Sequence, residues 1–316
     1  MRTAPVSFLV LLGLAAVSTA AADVYPLPPS DVDLIGAVHT DVVRKDETLL
    51  DVARRNGVGY NQIRRANPDL DLWIPEHGTD VVIPSRHVLP EGPRIGLVLN
   101  LPEFRLYYFP EAKKGARPVV VTHPISIGRQ DWHTPLGLSK ITDKVRDPSW
   151  YPPESVRAEH AAEGDPLPKV VPPGPDNPLG HRAMRLSIPG YLIHGTNKPA
   201  GLGMRVSHGC IRMYPEDIES LFEEVPVGTQ VRIVNQPYKI GRAAGTLFLE
   251  AHPPLFEDED NNERGMTKIT KLLIDVSDAH ADEVDWTEIE RAFRSSHGMP
   301  VPLNKGLPDD LSAEHR

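Results

Sequence analysis

The chain has 316 residues, with 34 Lys and Arg against 43 Asp and Glu and a formal net charge of −9. That acidic balance argues against a nucleic-acid partner and against a polybasic membrane contact. The length allows two domains and a sizeable core, and the single cysteine, Cys210, excludes an internal disulfide.

Residues 1–22 read as a secretory signal. Arg2 gives a short basic start, residues 6–17 are almost wholly apolar, and Ala20 and Ala22 present the small-x-small pattern of a cleavage site. Asp23 is then the expected mature start. The alternative is an uncleaved anchor, but the apolar run is too short to span a bilayer. Outside the cytoplasm a lone thiol is open to mixed disulfides and oxidation. The bland reading of Cys210 is a buried apolar filler. Ser207, His208 and Gly209 before it and Arg212 after it do not read as core.

Residues 23–40 are polar and carry prolines, and are expected to form a loose leader. Residues 41–86 form a compact α+β unit. Residues 41–44 start a short strand, and Thr48 caps a helix through Leu49, Leu50, Val52, Ala53 and Arg54 that stops at Asn56-Gly57. Tyr60, Ile63 and Ala66 mark a second helical face, ended by Asn67-Pro68, and Val81-Val82-Ile83 closes the unit as a strand. This strand-helix-helix-strand order resembles the LysM module, whose members bind glycans containing N-acetylglucosamine. The usual Gly-Asp-Thr turn stands here as Asp46-Glu47-Thr48, and Asp tolerates left-handed backbone. A docking or spacer role is the competing reading.

Residues 92–236 change to strands. Residues 95–100 and 104–109 are rich in β-branched and aromatic side chains, with Leu101-Pro102-Glu103 turning between them as a hairpin. Residues 119–121, 125–128 and 138–142 continue the sheet. Residues 147–180 hold nine prolines, a density that predicts no lasting helix or strand. Ordered loops of that size are often lids; the alternative is an excursion covering a sheet edge. Residues 186–188 and 191–193 read as strands around Pro189-Gly190. Pro215 opens a helix to Val225 with Ile218, Leu221 and Phe222 on one face, and residues 231–234 form a last strand. The predicted class is mainly β, a β-sandwich or partly open barrel with one embedded helix. Residues 237–297 read as a short α/β segment: a strand at 246–250, a solvated acidic run at 257–260, and helices over 266–276 and 286–293. Asp285 and Glu288 open the second helix as a capping box. Residues 298–316 read as a disordered tail.

Chemistry concentrates in two segments, His194-Gly195-Thr196-Asn197 and Ser207-His208-Gly209-Cys210-Ile211-Arg212. A thiol becomes a nucleophile when a neighbour takes its proton or stabilises its thiolate, and His194 and His208 are both candidates. Gly195 and Gly209 suggest sharp backbone. Gly209 also lets amides near Cys210 face a substrate carbonyl oxygen, a donor typically worth ~3–4 kcal/mol. From the residues alone this is acyl transfer through a thioester. The competing reading makes His194, His208 and Cys210 zinc ligands, but the spacing of recurring zinc sites is missing. Nor is there a phosphate loop or a dinucleotide fingerprint.

The two segments resemble the signature of the L,D-transpeptidase family (the YkuD catalytic domain), in its periplasmic ErfK/YbiS-like branch. That branch includes enzymes that attach the outer-membrane murein lipoprotein to peptidoglycan. Trp150-Tyr151-Pro152-Pro153 and residues 172–180 extend the likeness. The resemblance implies a periplasmic location, with Cys210 as nucleophile and His194 as base, its ring oriented by the Gly195 carbonyl. His208 and Gly209 would shape an oxyanion hole, mainly through backbone, and Ser207 would support the turn. Arg212 would pair with a substrate carboxylate, while Tyr191, Asn197 and Trp150 would line the cleft. The implied substrate is a peptidoglycan tetrapeptide stem, acylating Cys210 through meso-diaminopimelate with release of D-Ala. The acceptor would be a second stem, a lipoprotein lysine or water, and the implied reaction needs no metal or organic cofactor. A wall-binding protein with a dead catalytic domain is the alternative from another class; such a domain is free to lose Cys210 or His194, and both are present.

Overall fold

The computed structural model describes residues 23–258, 265–276 and 284–304. The expected signal, residues 1–22, lies outside them. The chain begins with β1 (Asp23–Pro26), β2 (Leu34–Ile35) and β3 (His39–Val42). Residues 23–40 are therefore not a loose leader. β1 runs antiparallel to residues 119–122 and extends the edge of the large sheet, because that edge offers unpaired backbone groups to an extended segment. Helices α1 (Leu49–Arg55) and α2 (Tyr60–Ala66) follow, then β4 (Asp80–Ile83), paired with β3, and β5 (His87–Val88), paired with β2. Thr48 and Asp51 cap α1 reciprocally, and Asp46 takes the left-handed backbone of its turn at φ 62°.

The middle of the chain supplies β6 (Gly96–Asn100), β7 (Arg105–Phe109), β8 (Val119–Pro124), β9 (Ile127–Gly128) and β10 (Gly137–Arg146). After them come α3 (Glu154–Ala162), β11 (Arg182–Leu186), β12 (Leu192–His194), β13 (Arg205–Ser207), β14 (Ile211–Arg212), α4 (Pro215–Glu224) and β15 (Gln230–Val234). Among the described residues, nine strands make one mixed sheet in the order β1-β8-β7-β6-β15-β10-β11-β12-β14. Leu97, Leu99, Leu106 and Tyr108 face one core, while Val98, Tyr107, Phe109 and Val120 face another. Burial on both faces explains why these strands read as unbroken apolar runs. Helix α4 lays Ile218, Leu221 and Phe222 on the first core, each contributing about 1.5–3 kcal/mol.

Two expectations fail here for local reasons. β9 does not extend the large sheet; it pairs in parallel with β13 as a separate ladder. The proline-dense stretch does hold a helix, α3, because its prolines bracket a proline-free run and Pro153 stands at the helix cap.

The C-terminal segment contains β16 (Tyr238–Ala243), β17 (Thr246–Ala251), α5 (Gly265–Val276), α6 (Trp286–Ser295) and β18 (Val301–Pro302). β18 pairs with β17, so the tail expected from residue 298 is ordered to 304, with Val301 and Leu303 buried. Residues 305–316 lie outside the described residues. Asp285 caps α6 by accepting from the Thr287 and Glu288 amides. Glu257 is not part of a solvated run: its carboxylate meets Arg205 at 2.7 Å and His133 at 3.2 Å. Glu259 and Asp260 fall outside the described residues.

Candidate active site

Strands β12 and β14 run side by side in parallel, with Ile193 opposite Ile211 and His194 opposite Arg212. Cys210 is the residue before β14, so it falls beside Leu192 and the turn that precedes β12. Its Sγ lies 3.6 Å from the Gly190 carbonyl. The crossover between the two strands carries β13, whose ladder with β9 fixes the approach to the cysteine turn. Cys210, His194, Ser207, His208, Arg212, Tyr191 and Trp150 all line one cleft of about 410 Å³.

The His194 ring is buried, with Nδ1 2.7 Å from the Gly195 carbonyl. Nδ1 therefore carries the proton and donates, which leaves the Nε2 lone pair as the base. Burial, reinforced by the Arg212 charge, brings the ring's pKa down to about 3. Burial pushes the Cys210 thiol up, against the opposing pull of the Leu192 amide and Arg212. The resting pair is thus thiol and neutral imidazole rather than thiolate and imidazolium.

The cysteine turn is held from behind. Ser207 is buried, and its Oγ donates to the Cys210 carbonyl. Gly209 has φ +97°, and a Cβ there would stand 2.8 Å from Tyr191 Cε1. Thr134 Oγ1 donates to the Gly209 carbonyl at 2.8 Å and accepts from the Gly128 amide at 3.0 Å. With that carbonyl tied back, the trans peptide points the Cys210 N–H the opposite way.

The other residues singled out from the sequence separate. The His208 ring turns toward α3, its Nε2 3.1 Å from Glu159 Oε2 and its edge against Trp132. Burial, with the charges of Arg129 and Arg212, brings its pKa down to about 4. Arg212 lines the cleft with its Nε buried and without a hydrogen-bond partner. Asn197 is exposed and is not among the lining residues, because the chain leaves the cleft after His194 and runs to a 3-10 turn at Pro199–Gly201. Sequence reasoning missed Thr134, Trp132, Val156 and Arg185, the last three of which line the walls. For Arg185 the signal was alternation: it stands two residues from Ala183, which faces the same cleft. Among the described residues, the grouping of three metal-type donors is His87, Glu103 and Glu250. None of them lines the cleft, and the Lys239 ammonium lies 2.8 Å and 2.9 Å from the two carboxylates.

In chemical terms the cleft presents a thiol and a neutral imidazole, a pair of groups that can support nucleophilic thiol catalysis, in a mainly β domain. The YkuD profile, the L,D-transpeptidase catalytic domain, matches residues 94–233. The chain is 39% identical over 292 residues to the probable L,D-transpeptidase YcfS of Escherichia coli K12, covering 90% of each. It is 39% identical over 294 residues to the probable L,D-transpeptidase YbiS of the same strain, covering 91% of this chain and 94% of that one. To the probable L,D-transpeptidase ErfK/SrfK of Salmonella typhimurium it is 38% identical over 294 residues, covering 90% and 92%. The chain belongs to the L,D-transpeptidase family.

Proposed function

We propose that this protein is a peptidoglycan L,D-transpeptidase of the periplasm, with Cys210 as nucleophile and His194 as general base. The carrying observation is geometric: His194, held by the Gly195 carbonyl, ends β12, Cys210 immediately precedes the parallel neighbour β14, and both line one cleft. In the first half-reaction the Cys210 sulfur adds to the meso-diaminopimelate carbonyl of a tetrapeptide stem, and His194 Nε2 takes the thiol proton. The amide bond to the terminal D-Ala breaks, His194 returns the proton to the leaving amine, and a thioester remains. In the second half an acceptor amine attacks the thioester, its proton passes through His194, and Cys210 leaves as the thiol. The Cys210 amide, opposite the tied Gly209 carbonyl, serves as an oxyanion donor. Arg212 and Arg185 supply cationic walls for the carboxylates of the stem.

The acceptor is a second diaminopimelate side chain, giving a 3→3 cross-link, or the lysine of a murein lipoprotein. Residues 41–86, in their LysM-like order, hold the glycan. Export rests on the basic, apolar and small-residue pattern of residues 1–22.

The test is to mix the exported form with a disaccharide tetrapeptide and follow intact protein mass and muropeptide products, with Cys210→Ala alongside. The expected result is an adduct on the wild type alone, free D-Ala and a dimeric product. An adduct that decays only to tripeptide points to hydrolysis, or to a lipoprotein acceptor that must be added. Identical behaviour of Cys210→Ala without any adduct removes the enzyme reading.

A further inference from the structure

Helix α3 carries one carboxylate that reaches two places at once. Glu159 Oε1 pairs with the Arg129 guanidinium, and Glu159 Oε2 accepts from His208 Nε2 at 3.1 Å. Both partners meet the cysteine turn. His208 lies within it, and the Arg129 amide donates to the Ser207 carbonyl at 3.0 Å. Arg129 also accepts, through its carbonyl, from the amide of Trp132, a residue of the cleft wall that packs edge-on against His208.

Beyond these bonds the helix has the His160 ring, whose centroid lies 6.3 Å from that of His208, and little else to hold it. Val156 is its single buried residue, and it lines the cleft. Glu159 stands three positions further on, along the same face. The segment leading into α3 supplies Trp150, Tyr151 and Pro153 to the cleft wall. Displacing α3 therefore moves that wall. A neutral His208 can donate from Nε2 to the carboxylate, which leaves its Nδ1 as an acceptor.

We propose that Glu159 is a positioning residue. It buckles the proline-rich lid to the cysteine turn, so that the donor-side wall and the Cys210 nucleophile are set in register together. The proposal rests on the reading above, in that the cleft beneath the lid receives the acyl-donor stem. It assigns the lid a defined attachment point and His208 a side-chain role distinct from that of His194.

The test uses the exported chain with Glu159→Ala and Glu159→Gln, and two probes of Cys210: acylation by the disaccharide tetrapeptide and alkylation by iodoacetamide. Glu159→Ala is expected to lower kcat/KM for the stem by roughly 10- to 100-fold, mainly through KM, since the positioning contacts and not the reacting groups are lost. Alkylation by the small reagent is expected to become several-fold faster, because the lid no longer restricts access. Loss of the fold would also expose the buried thiol and abolish acylation, so the urea midpoint of Glu159→Ala is measured alongside, and the opposite changes count for the buckle only where that midpoint is unchanged. If Glu159→Ala does not fold, the isosteric Glu159→Gln takes its place, with amide hydrogen exchange read over residues 150–165 and 207–210. Faster exchange in both segments is expected, and unchanged exchange in both overturns the proposal. Unchanged acylation and alkylation in a folded Glu159→Ala overturn it too, and reduce Glu159 to a surface ion pair. A wild type that is never acylated, but whose alkylation still accelerates in Glu159→Ala, upholds the buckle and sinks the donor reading instead.

Discussion

Cys210 and His194 divide their protons in an unusual way for a reactive thiol. The imidazole is held neutral, at about 3, by burial and the Arg212 charge, while burial pushes the thiol up. On the roles proposed above, the nucleophile is made during attack, not stored as a thiolate. Iodoacetamide should accordingly alkylate Cys210 at a rate that keeps climbing with pH through about 8.5, the ordinary thiol value. A plateau below neutrality would reveal a thiolate–imidazolium pair and refute this account. The backbone makes a matching demand at Gly209. Its left-handed φ and the 2.8 Å approach of the Tyr191 ring leave no space for a methyl group. Gly209→Ala should cut turnover by roughly 100-fold, since a small displacement of the turn misplaces the sulfur. Full turnover in that variant, measured on the stem substrate, would show that the turn tolerates the shift.

Elements outside the catalytic segment support that same turn. The strap after β17 buries Leu255 in the catalytic core and aims Glu257 at Arg205 and His133. Arg205 in turn donates from Nε to the Gly128 carbonyl, and the Tyr191 hydroxyl donates to the His133 carbonyl. The strap thus braces the flank of the cleft opposite in sequence to the lid. Leu255→Ala should cost about 2–5 kcal/mol, read as a lowered urea midpoint of the full chain. A loss under 1 kcal/mol would mean that the strap rests on the domain without holding it. The N-terminal unit docks in a comparable way. Arg54 pairs with Glu216 at 2.7 Å, the Tyr60 amide donates to the Leu202 carbonyl at 2.8 Å, and Gly59 and Gly203 approach so closely that a Cβ on either would collide.

Across the whole molecule, a buried polar cluster joins the catalytic sheet to the C-terminal one. Lys239 Nζ donates to Glu103, and it lies 2.9 Å from Glu250, which also pairs with His252. Burial raises the Glu103 carboxyl, but Lys239, His252 and His87 overcome that and hold it well below the usual carboxylate range. Lys239→Met leaves two buried carboxylates without their cation and should destabilise by about 3–5 kcal/mol. Thermal or urea unfolding measures this, and an unchanged midpoint would show that the carboxylates find other partners. Acid stability follows from the buried histidines. His87 and His194 are held below their unfolded value by burial, so their contribution is complete above about pH 6.5 and is lost as pH falls toward the folded values. Proton uptake by these two rings on unfolding gives a slope of about 3 kcal/mol per pH unit between roughly pH 6 and 4, and the half-buried His208, also held low by burial, steepens it further. A flat stability profile across that window would contradict the neutral burial of both rings.

The sequence by itself determined the candidate nucleophile, the two histidine candidates, the glycine bends beside them and the mainly β class. Those signals are local. A residue type, a neighbour and a short-range backbone demand suffice to read Ser207-His208-Gly209-Cys210 or the reciprocal cap at Thr48. Proline density was read too broadly over residues 147–180, because spacing between prolines decides whether a helix such as α3 fits. Tertiary structure alone decided which histidine meets which partner. His194 turns to its neighbouring carbonyl, while His208 is captured by Glu159 from 49 residues away. It also placed Asn197 outside the cleft, added β1 to a distant strand and buried Lys239 between two acids. Contacts of this kind depend on how sheets and loops close over one another, and no periodicity along the chain records them.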